Sequence, residues 1–279
     1  MTARGVFLKS KRLLEAAGVP EAEAKAKIIV SHAFGISLSE VFTDIAITEE
    51  KIEEIERMAQ RCVAGEPVEY VTGKAYFRYL ELEVNACVLI PRKETELVAG
   101  KAIELIKERG YTSALDMCTG SGCIAISLAT EAGMSVTASD ISESALSVAK
   151  RNAKLNGALQ NICFLHSDMF DDLKSAYDIV VCNPPYVSDE EYASLDKGVF
   201  FEPESALKAG DGLEFYRRIA AGAPRVINGG GALVLEIGAS QANDVERLLE
   251  QGGFTGIECM KDYAGRDRIV AARRERIYV

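Results

Sequence analysis

Four polar residues follow apolar, strand-like stretches of this sequence: Asp116, Asp140, Asp168 and Asn183. In an open sheet of parallel strands with helices on both faces, ligands bind in the crevice outside the carboxyl ends of the strands. Side-chain oxygens gathered there can accept hydrogen bonds from hydroxyl and amino groups of a small molecule. The pattern therefore predicts a ligand site at one edge of such a sheet.

The first of these stretches runs into a glycine-bearing turn, "DMCTGSG", and a helix is predicted from about Cys123. Gly120 and Gly122 allow a backbone to approach a ligand closely. Asp140 lies about 20 residues further on, where a carboxylate can accept from both hydroxyls of a ribose. The relaxed dinucleotide fingerprint G-x-G-x-x-A fits the same residues through Ala125, so NAD is a competing interpretation. A tight strand-to-helix turn without a ligand is another.

The third stretch ends in "CFLHSDMF". The Asp168 carboxylate could accept from an exocyclic adenine amine, and Met169 could offer its backbone N–H and apolar cover. The alternative is an exposed loop acid followed by a methionine that fills the core.

The fourth stretch, "YDIVVCNPPYV", places an amide directly before two prolines and an aromatic directly after them. Prolines end a buried strand because they cannot donate to the sheet. That explanation accounts for Pro184 and Pro185 and leaves Asn183 and Tyr186 unexplained. A turn requires neither of these two residues, so the stretch is a candidate functional site.

The elements that must position these residues alternate between strand and helix, with strands predicted near 113–117, 135–139, 161–165, 177–182 and 231–237. Such alternation predicts an α/β fold with a parallel sheet covered on both faces. Two short strands around a glycine-bearing turn in the tail predict an antiparallel edge. Before this region, helical spacing predicts helices at 5–17, 21–34 and 48–64. Alternation over 80–90 predicts a hairpin or a pair of strands between the two parts.

Composition narrows the class of protein. The 279 residues carry a net charge of −10, of which residues 1–75 contribute only −2. This acidic balance argues against nucleic acid as a direct partner. No apolar run suggests a membrane span, and the N-terminus lacks a signal-peptide core, so we expect a cytoplasmic protein. The seven cysteines include no C-x-x-C pair, and we expect no metal site.

Several longer motifs resemble the release factor glutamine methyltransferase family (HemK/PrmC type) within the class I S-adenosylmethionine-dependent methyltransferases. They are "GEPVEYVTGKAYF", "VLIPRKETE", "ASDISESALSVAKRNAKLNG", "NPPYV", "FEPESALKAGDGLEFYRRI" and "GRDRIV". The resemblance covers nearly the whole chain. It implies a Rossmann-like domain with a seven-stranded, mostly parallel sheet, preceded by a small helical bundle and a hairpin linker. We place these parts at 93–279, 1–72 and 73–92.

The resemblance also implies an activity and its participants. The methyl donor would be S-adenosyl-L-methionine, and the substrate the Gly-Gly-Gln glutamine of class I peptide chain release factors, methylated at N5 by a monomeric enzyme. The implied catalytic residues are Asn183, Pro184 and Tyr186. The implied cofactor-binding residues are Asp116, Cys118, Thr119, Gly120, Ser121, Gly122, Asp140, Asp168, Met169 and Asn183. The implied substrate-binding residues are Asn183, Pro184, Pro185, Tyr186, Phe201 and Glu202.

Three positions depart from the family pattern, which has proline at Lys93, glycine at Cys118 and often an aromatic residue or leucine at Met169. Arg92 or Thr95 is a candidate contact for the cofactor carboxylate, and the alternative is that "IPRKET" only caps a hinge. Three other functions compete with the implied one. They are methylation of a ribosomal protein glutamine, methylation of a nucleic-acid amino group, and cofactor binding without catalysis.

Overall fold

The computed structural model describes residues 1–275 and divides the chain into two compact units. The N-terminal unit comprises Met1–Lys74 together with Asp196–Phe201, and the second unit comprises Ala75–Leu195 and the chain from Glu202 onward. Within the described residues, none of the helices combines the length and apolar character needed to cross a lipid bilayer.

The N-terminal unit is helical. Its helices are α1 (Ala3–Ala16), α2 (Ala22–Phe34), α3 (Glu49–Val63) and the short α4 (Val68–Thr72). The hydroxyl of Thr2 caps α1 and that of Thr48 caps α3, because each accepts a hydrogen bond from a first-turn backbone N–H. The buried faces of these helices form one apolar core.

The second unit contains a two-stranded hairpin and a seven-stranded sheet. The hairpin consists of β1 (Lys74–Phe77) and β2 (Leu80–Glu83). The sheet strands are β3 (Ser113–Met117), β4 (Ser135–Asp140), β5 (Ile162–His166), β6 (Tyr177–Cys182), β7 (Ile227–Glu236), β8 (Phe254–Lys261) and β9 (Asp267–Arg274). The helices are α5 (Lys93–Arg109), α6 (Cys123–Glu131), α7 (Glu143–Leu155), α8 (Asp189–Tyr192), α9 (Glu214–Val226) and α10 (Ala242–Gln251).

The strand order is β5-β4-β3-β6-β7-β9-β8. The pairs from β5 to β7 are parallel, and β9 pairs antiparallel with both β7 and β8. The predicted fold class, including the antiparallel edge, is therefore confirmed. The chain moves outward through β4 and β5 and then returns to β6 on the other side of β3. This reversal creates a crevice at the carboxyl ends of β3 and β6, where folds of this kind bind ligands.

Alternate residues of the strands face two separate helical layers. Ala114, Val181 and Val234 pack in one apolar core with α5 and α6, while Leu115, Val180 and Leu235 pack in the other with α9 and α10. Strands buried on both faces explain the nearly continuous apolar runs in their sequences.

The prediction of strand structure across 80–90 is wrong beyond Glu83. Asn85 begins a turn, since its carbonyl accepts from Val88 N (3.1 Å) and its side chain accepts from Cys87 N (2.9 Å). The N–H of Ile90 donates to the Glu202 carboxylate at 3.0 Å. The polar backbone of this segment is therefore satisfied by a turn and a distant side chain, without a strand partner.

Candidate active site

A cavity of about 600 Å³ lies in the second unit at the predicted sheet edge. Its lining includes residues from the ends of four neighbouring strands, namely Met117, Asp140, Asp168 and Asn183. This volume suits a small-molecule ligand, since such sites typically measure roughly 300–1,000 Å³.

Asp116 shapes the turn that follows β3 and is fully buried. Its Oδ2 accepts from the Thr119 hydroxyl (2.6 Å) and from Ala125 N (2.9 Å), which ties the turn to the first residues of α6. Burial raises the pKa of Asp116 to about 7. Asp116 is absent from the cavity lining, whereas Thr119 and Ser121 belong to it. The side chain of Asp116 therefore positions the turn, in contrast to the predicted cofactor contact.

The two glycines of the turn have different surroundings. Gly120 lines the cavity, has a φ of +54° and would direct a Cβ into open space. Gly122 has a φ of +83°, and a Cβ there would lie 3.1 Å from the Cβ of Ala149 on α7. Gly120 therefore leaves room in the cavity, while Gly122 allows α6 to pack against α7.

The local backbone differs among the three positions that depart from the family pattern: it disfavours the residue present at two of them and tolerates it at the third. Cys118 and Met169 adopt positive φ values of +59° and +51°, in a region that favours glycine and strains a larger residue. Glycine at position 118 would therefore fit the backbone more easily. Lys93 is the first residue of α5, where proline is favoured but not required, and its Nζ pairs with Glu96 at 2.7 Å.

Asp140 is the last residue of β4 and lines the cavity. One carboxylate oxygen accepts from Gly120 N and the other from Ser142 N, each at 2.9 Å. Burial raises the pKa of Asp140, and the backbone hydrogen bonds partly oppose that effect. Each oxygen of a carboxylate has about two acceptor positions. Asp140 can therefore hold the turn and still accept from a ligand diol.

Asp168 follows β5 by two residues and lines the cavity together with Met169 and Arg218. Its carboxylate forms an ion pair with Arg218 on α9 at 2.7 Å. Arg218 was not predicted from the sequence. Because this cation occupies one oxygen of Asp168, an incoming amine has only the remaining acceptor positions.

Asn183 directly follows β6 and lines the cavity, as does Pro185. The Nδ2 of Asn183 donates to the Thr95 hydroxyl at 3.2 Å, and that hydroxyl donates to Glu236 at 2.6 Å. Among the hydrogen bonds of residues 1–275, none is accepted by the Asn183 Oδ1 or by the Pro184 carbonyl. Two acceptors are therefore available within two consecutive residues.

Tyr186 donates its hydroxyl to Glu236 at 3.2 Å, and its carbonyl accepts from Gln241 at 3.0 Å. Burial and the charge of Glu236 raise the pKa of the phenol, so it stays protonated. The ring is thereby fixed at both ends, although Pro184 and Tyr186 are not themselves part of the cavity lining.

Glu202 and Phe201, predicted to shape the substrate entrance, lie in different units. The Glu202 carboxylate is buried and accepts from Ile90 N and from the Arg92 guanidinium, so it fixes the segment before α5. Phe201 belongs to the N-terminal unit, in a 3-10 helix that passes close to Gly65. Arg92 and Thr95, the two candidate contacts for the cofactor carboxylate, both line the cavity.

Glu236 was not predicted from the sequence, although its carboxylate accepts hydrogen bonds from two residues that were, Thr95 and Tyr186. It ends β7 and is 1% exposed. Burial raises the pKa of Glu236, while the Thr95 and Tyr186 hydroxyls and the charge of Arg268 lower it. A lone acid at the end of the apolar run "ALVLEIG" was the signal that could have identified it.

Two parts of the chain match family models. Residues 7–73 match the PrmC N-terminal domain, and residues 101–215 match the methyltransferase small domain. The second match contains the glycine-bearing turn, Asp140, Asp168 and Asn183.

Curated relatives cover nearly the whole chain. The release factor glutamine methyltransferase of Chlorobaculum tepidum is 37% identical over 264 residues, which cover 90% of each chain. That of Agrobacterium fabrum is 34% identical over 282 residues, which cover 98% of each chain. Among solved structures, a methyltransferase from Pyrococcus furiosus shares the fold with a TM-score of 0.53 at 17% identity, covering 82% of this chain and 100% of that one.

Proposed function

The chain belongs to the release factor glutamine methyltransferase family, and we propose that it methylates N5 of the glutamine in the Gly-Gly-Gln motif of class I peptide chain release factors. The observation that carries this proposal is the pair of acceptors at Asn183 Oδ1 and the Pro184 carbonyl, beside a cavity able to hold a cofactor.

A pair of acceptors suits the chemistry of a carboxamide. The nitrogen of an amide is a weak nucleophile because its lone pair is delocalised into the carbonyl. Two acceptors facing its two N–H groups orient the nitrogen and stabilise the positive charge that develops during methyl transfer. Asn183 Oδ1 and the Pro184 carbonyl take these roles, and the Tyr186 ring supports the planar amide. Positioning supplies the remainder, since the transfer requires an in-line approach and no strong base.

The cavity fits S-adenosylmethionine, which supplies the methyl group on a sulfonium when it is bound. The open space beside Gly120 leaves room for a ligand next to the turn, and Asp140 retains acceptor positions for a ribose diol. Met169 and Asp168 line the part of the cavity next to β5, and Arg92 offers a cation for a carboxylate. Cys118, Thr119 and Ser121 complete the lining of the turn.

The N-terminal unit supplies substrate recognition in this proposal. A glutamine side chain is too small to distinguish one protein from another, so specificity requires contacts remote from the reacting amide. The match of residues 7–73 to the PrmC N-terminal domain supports this role, as do the exposed apolar side chains in this unit. We further propose that the enzyme acts as a monomer in the cytoplasm and has no nucleic-acid substrate.

Methylation with radiolabelled S-adenosylmethionine tests the function. Purified class I release factors, ribosomal proteins and a nucleic acid are offered separately, and the modified residue is located by mass spectrometry. The proposal expects label in the release factor only, on the Gly-Gly-Gln glutamine. Label on another substrate, or cofactor binding without transfer to any of them, contradicts it.

A further inference from the structure

We infer that Glu236 is a positioning residue that fixes the orientation of the Asn183 amide through the hydroxyl of Thr95. This inference rests on the proposed function, because it concerns the residue that receives the substrate amide. Glu236 does not line the cavity. Its effect on the reaction must therefore pass through the residues that it contacts.

Glu236 is hydrogen-bonded at both its carboxylate and its backbone carbonyl. Its Oε2 accepts from Thr95 Oγ1 on α5 at 2.6 Å, and its Oε1 accepts from the Tyr186 hydroxyl at 3.2 Å. Its backbone carbonyl accepts from the Tyr216 hydroxyl on α9 at 3.0 Å. With 1% of its surface exposed, the residue has little freedom to turn. The Glu236 carboxylate therefore has one fixed position and orientation at the end of β7.

Asn183 donates to Thr95 and Thr95 donates to Glu236, so the carboxylate at the end of this series sets the direction of both hydrogen bonds. A hydroxyl has one proton, and that of Thr95 is donated to the carboxylate. Thr95 Oγ1 can then only accept from Asn183, whose Nδ2 lies at 3.2 Å. The amide nitrogen of Asn183 is consequently assigned to Thr95, and Oδ1 is left for the substrate. If the amide turned over, its oxygen would face the Thr95 oxygen and its nitrogen would repel the substrate N–H groups.

A carboxylate performs this task better than an amide would. Both oxygens of Glu236 accept, so both hydroxyls must donate to it. A glutamine at position 236 would place its NH₂ group against the hydroxyl of either Thr95 or Tyr186. That hydroxyl would then have to accept a hydrogen bond from the NH₂ group and could no longer donate to residue 236. Reversal at Thr95 makes that hydroxyl a donor toward Asn183 and favours the wrong amide orientation. Glu236 therefore excludes this alternative.

We call the two hydrogen bonds from Asn183 to Thr95 and from Thr95 to Glu236 the relay. Glu236→Gln tests the relay in the full-length enzyme with its release factor. We expect kcat to fall about ten- to a hundredfold, as for a disturbed buried hydrogen bond, with KM for the factor and S-adenosylhomocysteine affinity changing by less than about twofold. In an Asn183→Ala background the same substitution should cause a smaller fall in kcat than in the wild-type background, because the route through Asn183 is gone and only the contact with Tyr186 remains. Additive losses in the double variant overturn the inference, and so does an unchanged kcat in both Glu236→Gln and Thr95→Val.

Thr95 offers a matched pair of variants. Thr95→Val keeps the shape and removes the hydroxyl, so kcat should fall as in Glu236→Gln. Thr95→Ser restores the hydroxyl and should recover most of the wild-type kcat. Equal activity of the Val and Ser variants contradicts the relay.

A readout without turnover separates this inference from the proposed function. In ¹⁵N-labelled protein, the Asn183 side-chain amide signal is the one that Asn183→Ala removes. It should shift in Glu236→Gln and Thr95→Val and stay close to its wild-type position in Thr95→Ser. If wild-type enzyme fails to methylate release factors, the proposed function fails, and this signal still decides the relay. An Asn183 signal that is unchanged in all three variants overturns it.

Discussion

At the residue scale, Asn183 and Pro184 are the two residues that we propose to receive the reacting nitrogen. Both of their acceptor oxygens lack hydrogen-bond partners among residues 1–275, whereas the hydroxyls of the nearby Thr95 and Tyr186 are hydrogen-bonded. Buried or half-buried acceptors without partners are uncommon in folded proteins. Their freedom is consistent with a role in binding the N–H groups of a substrate.

Asn183→Ala should lower kcat by about two to three orders of magnitude, because it removes an acceptor that acts on the charge developing in the transition state. Folding and S-adenosylhomocysteine affinity should change little. Steady-state kinetics with saturating release factor and calorimetry measure the two effects. Asn243→Ala, at an exposed position on α10, is the control and should keep the wild-type kcat. A near-normal kcat in Asn183→Ala would remove this side chain from the mechanism.

Asp116 should make stability depend on pH. Its pKa is raised by burial from 3.8 to about 7, so the folded protein retains a proton that the unfolded chain has already lost. The free energy of unfolding should therefore fall as the pH rises from about 4 to 7. The contribution of this single group approaches about 1.4 kcal/mol per pH unit within that window.

Urea unfolding at several pH values measures this slope. Asp116→Asn should reduce this slope by the amount that corresponds to about one proton. This holds whatever the effect of the substitution on stability at a single pH. Asp178→Asn is the matched control, because hydrogen bonds from Thr112 and Asn228 outweigh burial and lower the pKa of Asp178 to about 2. The contribution of Asp178 is therefore lost only below about pH 4. Identical slopes in Asp116→Asn and wild type would contradict the prediction.

At the scale of elements, the turn between β3 and α6 combines a folding role with a binding role. Gly122→Ala places a Cβ against the backbone and side chain of Ala149, so it should destabilise the protein by about 1–3 kcal/mol. Gly120→Ala meets no neighbouring atom and adds only backbone strain of about 1 kcal/mol, but it adds a methyl group at a residue that lines the cavity.

Urea unfolding and calorimetry with S-adenosylhomocysteine separate the two glycines. We expect the larger loss of stability in Gly122→Ala and the larger loss of affinity in Gly120→Ala. Equal losses of affinity in two folded variants would show that the glycines do not divide these roles.

Most elements could be predicted from local patterns, and the errors have a common origin. The strands at 113–117 and 177–182 are where apolar runs predicted them, because burial on both faces leaves a strong signal. The segment after Glu83 has an equally regular alternation, yet its geometry is decided by Glu202, which is 112 residues away in the chain from Ile90. Contacts of this kind leave no local pattern.

The same distinction applies to the site. Asp140 and Asn183 could be predicted because Asp140 ends a strand and Asn183 directly follows one, and strand order brings such positions together. Phe201 and Glu202 are adjacent in sequence, and the sequence did not reveal that they belong to different units. Glu236 could not be connected with Asn183 because Thr95, which links them, comes from a third element.

At the scale of the whole molecule, the N-terminal unit presents apolar side chains to solvent. Leu38, Phe42 and Ile45 are 53%, 46% and 43% exposed and fall within eight consecutive residues. Phe42 also packs against Phe7 with their ring centroids 5.3 Å apart, which gives it a structural role. Leu38 and Ile45 are therefore the better residues with which to test recognition of a release factor.

The double substitution Leu38→Ser and Ile45→Ser should raise KM for intact release factor about five- to tenfold, as expected when exposed apolar contacts are lost from an interface. The kcat should be preserved, because the residues that we propose to be catalytic lie in the second unit. A short Gly-Gly-Gln peptide cannot reach remote contacts, so its kcat/KM should not change. Steady-state kinetics with both substrates provides the measurement.

The matched control replaces two exposed leucines of the second unit, Leu155 and Leu159, with serine. This control should leave KM for both substrates unchanged, since it removes similar side chains from a surface with no proposed role. A rise in KM of the same size in both double variants would indicate a general effect of lost apolar surface. Unchanged KM for intact factor in the Leu38 and Ile45 variant would exclude this surface from recognition. Because the peptide reports on the catalytic unit alone, a parallel loss with peptide and intact factor would place the defect in the chemistry and not in docking.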